Sequence, residues 1–135
     1  MAKSSSTKVP LVLFDTSALI LSFKNRVNLL DRVSEIVNGI YIPIVTQAVL
    51  DELDKLYRFG SPQVKHNVAA IKGLISRYFS IANIVGEADE SIISFATQQK
   101  CIVVTCDMEL KRKLEKTGIT VIYFRKSSGR FESIF

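Results

Sequence analysis

The sequence predicts a three-layer α/β/α fold around a central, mostly parallel sheet of about five strands. Two observations carry this. Short apolar runs recur without the polar alternation that a sheet with one wet face would show, so both faces of the sheet should be covered. Between these runs lie longer segments whose apolar residues return at helical spacing.

Taken in order, MAKSSSTKVP lacks an apolar stretch. It reads as a flexible arm (1–8) ahead of the first strand, not as a signal peptide. LVLF (11–14) is that strand; Asp15 ends it and the apolar pattern resumes in a helix. VNLLDRVSEIV (27–37) places Leu30, Val33, Ile36 and Val37 on one helical face. IYIPI (40–44) is the second strand, and TQAVLDELDKLY (46–57) a helix with Val49, Leu50, Leu53 and Leu56 inward. FGSP (59–62) breaks the chain before PQVKHNVAAIKGLISRYF (62–79), a helix opened by Pro62 with Ser61 as its cap. SIANIV (80–85) is the weakest strand, and DESIISFATQQ (89–99) returns to helix. CIVVT (101–105) is a strand, and MELKRKLEKT (108–117) a helix stopped by Gly118. ITVIYF (119–124) is the last strand of a single domain (9–126), followed by a tail (127–135).

The length of 135 residues suits one domain with a sizeable core. No apolar run approaches the roughly 18 residues of a membrane span, so no membrane partner is expected. A net charge of +5 and a pI of about 9.3 favour an anionic partner. Cys101 and Cys106 are the only cysteines. On one extended strand their α-carbons would lie about 16 Å apart, beyond the roughly 7 Å limit of a disulfide. Two free thiols and a cytoplasmic location are therefore expected.

Functional groups in parallel α/β sheets gather beyond the C-terminal ends of the strands. Asp15 and Asp107 both stand there, each before a helix whose N-terminus favours negative charge. If their strands are neighbours, the carboxylates lie close together. Glu52 borders the apolar face of its helix, whereas Asp51 and Asp54 point further outward; Asp89 opens the next helix. Singly, each has an ordinary explanation: a cap or turn residue for the aspartates, a solvated charge for Glu52. Jointly they describe a pocket of carboxylates, which must either raise their pKa values or hold a cation. Oxygen donors without His or Cys are what Mg²⁺ and Mn²⁺ prefer, and such a site activates water and neutralises a phosphoryl group. With His66 as the only histidine, a two-histidine acid–base ribonuclease mechanism is excluded.

These residues also resemble a family. FDTSALI resembles the opening motif of PIN-domain nucleases, IPIVTQAVLDELDKL their second motif with its glutamate, ADESI their Ala-Asp-Asp/Glu motif, and VVTCDMELKRKL their Thr-x-Asp motif. The resemblance runs from about Val9 to Phe124. It implies divalent-metal-dependent hydrolysis of RNA by Asp15, Glu52, Asp89 and Asp107, with Mg²⁺ or Mn²⁺ as cofactor. Ser17 stands where the family often has Asn, and Thr105 at the Thr of Thr-x-Asp; both hydroxyls would fix the carboxylates from behind, and Glu109 is an extra acid nearby. Within the family, TCDMELKRKL and the basic tail resemble the ribosomal-RNA-processing branch more than the VapC-type toxins, which share the same site. Ribosomal RNA is then the expected partner. A homodimer and a ribosome-assembly or antitoxin protein partner are left open.

Lys111, Arg112, Lys113 and Lys116, followed by Arg125, Lys126 and Arg130, would form a basic rim for phosphates. Tyr123, Phe124 and Phe131 could stack on bases, although the first two suit strand packing better. A receiver-type phosphorylation domain would need an acid ending its middle strand, where this chain has IPIVTQ. A haloacid-dehalogenase-like phosphatase would need a second Asp where this chain has Ser17. A non-catalytic RNA-binding scaffold is the remaining alternative, and the presence of all four acids argues against it.

Overall fold

The computed structural model describes residues 8–127 and 130–134, with side chains described up to Arg125. The chain order is β1 (Leu11–Phe14), α1 (Thr16–Lys24), α2 (Leu29–Val37), β2 (Ile42–Thr46), α3 (Gln47–Phe59), α4 (Pro62–Tyr78), β3 (Ser80–Ala82), α5 (Ala88–Gln98), β4 (Ile102–Thr105), α6 (Met108–Lys116), β5 (Thr120–Ser127) and β6 (Arg130–Ile134). The sheet order is β3-β2-β1-β4-β5-β6, with the first five pairing in parallel and β6 antiparallel to β5.

The predicted fold class is therefore the observed one. Successive residues Val12, Leu13 and Phe14 of β1 are all fully buried, as are Val103 and Val104 of β4. Side chains alternate across a strand, so burial of consecutive residues means that helices cover both faces. Phe14 packs edge-on against Phe79 and stacks on Tyr41, tying the central strand to the segments before β2 and after α4. Phe14→Ala would leave a cavity at the centre of the sheet. It is expected to cost about 3–5 kcal/mol, read as a shift of the urea midpoint.

Helix starts follow local chemistry. Asn28, Thr46, Ser61, Glu87 and Asp107 each accept a backbone N–H from the first turn of the helix they open. Pro62 stands in the first turn of α4, where its missing N–H is harmless.

Strand boundaries differ most from the sequence expectation in three places, the first being β3, which stops at Ala82 and not at Val85. The second strand lies two residues later than predicted, at Ile42–Thr46. Ile40 is exposed, and Tyr41 instead donates its hydroxyl to the carbonyl of Leu30. The last strand continues past Phe124 to Ser127 and pairs with β6, which forms within the stretch expected to be a tail. The basic charge there reads as solvated, yet Ser128-Gly129 is turn-type sequence between two segments able to pair. The expected arm lies outside the described residues apart from Lys8.

β1 is followed on one side by β2 and on the other by β4, so the strand order reverses between β1 and β4. Ligands bind at such a switch point, beyond the carboxyl ends of the strands. Asp15 and Asp107 are placed there by the ends of these two neighbouring strands.

Candidate functional site

A cavity of about 440 Å³ opens at the switch point, lined by Asp15, Thr16, Ser17, Glu52, Asp89, Cys106 and Asp107, with Lys24 at one side. All four predicted acids reach it. Each arrives by a different route: the β1–α1 turn, the second turn of α3, the first turn of α5 and the β4–α6 turn.

Asp15 is 4% exposed. It occupies the cap position of α1, but its side chain makes no capping hydrogen bond. Its Oδ2 instead accepts from Ser17 Oγ at 2.6 Å and from Thr105 Oγ1 at 2.7 Å. Each of these hydroxyls also accepts a backbone N–H from the neighbouring turn, Ser17 from Cys106 at 3.0 Å and Thr105 from Asp107 at 3.0 Å. A hydroxyl has one proton, and here both protons go to the same carboxylate oxygen. The β1–α1 turn is thus laced to the β4–α6 turn through Asp15. Both hydroxyls named behind the carboxylates by the family resemblance donate to Asp15.

Burial pushes the Asp15 carboxyl upward, opposed by the two hydroxyls and reinforced by the charge of Glu52. Asp89 is pushed up to about 6, first by burial and then by the charges of Asp15, Glu87 and Asp107. It is not the cap of α5, as its sequence position allowed; Glu87 is, accepting from Glu90 N at 2.8 Å. Asp107 does cap α6, its Oδ1 accepting from Glu109 N at 2.8 Å and Leu110 N at 3.2 Å. Glu52 accepts from Thr16 Oγ1 at 2.6 Å.

Like charges brought together lower stability, and the sign can be followed through pH. A carboxyl whose folded pKa lies above its ordinary value of 3.8 favours folding while protonated. For Asp89 that contribution is complete below 3.8 and is lost as pH rises through about 6. In EDTA, the Tm advantage of Asp89→Asn over the parent chain is therefore expected to grow between about pH 4 and pH 6 and level off above. Thermal melts across that range check it.

Glu109 does not reach the cavity; its carboxylate lies 3.7 Å from Lys113 on the exposed side of α6. The predicted basic rim is only partly available. Lys111 pairs with Glu115 at 3.1 Å and lies over the Tyr123 ring, while Lys113 shares Glu109 and lowers the pKa of Asp89. Arg112 and Lys116 are exposed; Arg125 is exposed but already engaged with a neighbour. The side chains of Lys126, Arg130 and Phe131 lie outside the described residues. Tyr123 and Phe124 are buried in the core. Both cysteines are free, and burial pushes their thiols up, Cys101 to about 11 and Cys106 to about 12, with Asp15 adding to the latter.

The sequence reading overlooked Thr16 and Glu87. Thr16 adjoins Asp15 in FDTSALI and Glu87 precedes Asp89 in GEADES, so the signal was proximity to an acid already singled out.

The donor set fits a hard divalent cation. It offers only carboxylate oxygens, and none of the four acids is ion-paired among the described residues. Among those residues, no three His, Cys, Asp or Glu side chains already stand close enough together to hold a metal.

Residues 12–127 match the family described as PIN like domain. The chain belongs to that family. It is 31% identical over 130 residues to ribonuclease VapC9 of Archaeoglobus fulgidus, spanning 96% of this chain and 93% of that protein. It is 28% identical over 122 residues to the human rRNA-processing protein FCF1 homolog, covering 83% of this chain but only 56% of that one. The fold is similar to that of the PIN domain endonuclease Utp24, with a TM-score of 0.72 at 22% identity over 91% of this chain and 90% of that one. No helix among the described residues of this PIN-family chain is long and apolar enough to cross a membrane.

Proposed function

We propose that this PIN-family chain is a divalent-metal-dependent endoribonuclease whose substrate is ribosomal RNA or its precursor. The observation that carries the enzymatic reading is the convergence of Asp15, Glu52, Asp89 and Asp107 on one cavity at the switch point of the sheet. The four carboxylates would hold Mg²⁺ or Mn²⁺, which supplies Lewis acidity and lowers the pKa of water when bound. Asp15, immobilised by Ser17 and Thr105, fixes the position of the donor set. Asp89, from the first turn of α5, would complete the donor set or orient the attacking water. Water attacks the phosphorus in line with the P–O3′ bond and the 3′ oxygen leaves, taking up a proton, which gives 5′-phosphate and 3′-hydroxyl ends.

Similarity to the FCF1 homologs supports ribosomal RNA as the substrate. The match with VapC9 over nearly the full length of both chains supports a second reading, a toxin ribonuclease restrained by an antitoxin in the cytoplasm. Incubating purified protein with structured pre-ribosomal RNA and unrelated RNA, in Mn²⁺ and in EDTA, tests both. Discrete metal-dependent cuts in the ribosomal RNA with 5′-phosphate ends are expected. Cuts confined to transfer or messenger RNA, with growth arrest on expression, would favour the toxin reading. RNA binding without cleavage in any metal would contradict both.

A further inference from the structure

A second cavity, of about 590 Å³, lies beside the acidic one and shares Lys24 with it. Its lining includes Phe23, Lys24, Arg26, Gln63, His66 and Asn67, and no acid. It is formed where the C-terminal end of α1 meets the first turns of α4. Among the described residues neither Lys24 nor Arg26 has an ion-pair partner, in contrast to Lys111 and Lys113 of the predicted rim. The floor includes Asn67, 9% exposed, whose Oδ1 accepts from Gln63 at 3.3 Å.

Arg26 carries an unusual backbone. Its φ is 55°, in the left-handed region, at the position just past α1 where glycine or asparagine is the ordinary choice. A longer side chain there costs about 1–2 kcal/mol. A cation near a helix C-terminus recovers part of that, but Lys24 already supplies one in the last turn.

We propose that this cavity is the substrate-backbone subsite of the endoribonuclease: Lys24 and Arg26 hold phosphates of the RNA strand as it leaves the acidic pocket, and Phe23 offers a ring to a base. This rests on the ribonuclease reading above. The nine residues of α1 span about 14 Å from Asp15 to Lys24. Lys24 also lines the acidic pocket, so it meets a phosphate beside the scissile one; Arg26, past the end of α1, meets one up to about four nucleotides away at about 3.4 Å per stacked nucleotide. Phosphate contacts of this kind set register and orientation and carry no sequence information.

The test uses Arg26→Gly and Lys24→Ala in the full chain. Glycine relieves the left-handed backbone, so Arg26→Gly is expected to melt no lower than the parent, while a purely structural arginine would lower the Tm. With a long single-stranded RNA, KM rises in each variant, and kcat holds in Arg26→Gly. The double variant lowers the salt slope of binding by about 1.4, the value for two phosphates of a single strand. With RNAs reaching fewer than about three nucleotides to either side of the cut, shorter than the stacked reach of α1, parent and Arg26→Gly converge. If the parent cuts RNA but the variants keep its KM and salt slope on long RNA, the subsite is overturned and the ribonuclease reading stands. If the parent cuts no RNA in Mn²⁺, the ribonuclease reading falls and takes the subsite with it.

Discussion

Replacing Asp15 by asparagine is expected to lower metal-dependent RNA cleavage by more than about 100-fold, the upper range reached by losing a mere supporting partner of a metal ligand. The same substitution should leave the Tm in EDTA unchanged or raised. The two halves have one cause. Asp15 is buried beside Glu52, and burial raises its pKa, so its charge is held against an electrostatic cost. Asparagine keeps an oxygen that can accept from Ser17 and Thr105 and removes that charge. An aspartate kept only for structure would behave oppositely, since losing it would lower the Tm and spare the activity. Cleavage rates in Mn²⁺ and melts in EDTA, on the same preparation, separate the two.

Thr105→Val is expected to cost both stability and activity. The threonine hydroxyl donates to Asp15 Oδ2 and accepts from Asp107 N–H, and the residue is fully buried. Valine keeps the shape and removes both bonds, leaving a buried carboxylate oxygen and a backbone N–H short of a partner. Such losses cost about 1–3 kcal/mol, visible as a lower denaturant midpoint. Activity should fall about 10–100-fold, as for other partners that orient a metal ligand. Ser17→Ala should fall less in stability, because Ser17 is only partly buried. A midpoint unchanged in Thr105→Val would mean that the lacing of the two turns is not what holds Asp15.

The fold was legible because its strongest signals are the longest-lived ones. Continuous apolar runs such as LVLF and IVVT mark strands covered on both faces, and the caps Ser61 and Gly118 mark where helices begin and stop. What the sequence obscured was decided by tertiary partners. Tyr41 reads as strand, but its ring and hydroxyl are claimed by Phe14 and Leu30. β6 depends on pairing with β5, a contact that local composition does not announce. At the site, the three aspartates could be named from their places at strand ends and helix starts and Glu52 from the edge of its helix's apolar face, and the structure brings all four to one cavity. Glu109 was drawn in by sequence proximity to Asp107, yet helical geometry turns it toward Lys113, one turn further on. Lys24 and Arg26 stand nine or more residues from any acid of the candidate site, and only the packing of α1 on α4 sets them beside the pocket.

The proposed chemistry needs four carboxylates sharing a divalent cation, and a titration of Mn²⁺ followed by electron paramagnetic resonance tests that most directly. Measured at pH 7.5 on the parent chain and on Asp15→Asn, Glu52→Gln, Asp89→Asn and Asp107→Asn, it should show saturable binding by the parent and weaker binding in every variant. Parent binding that none of the four substitutions alters would contradict the site.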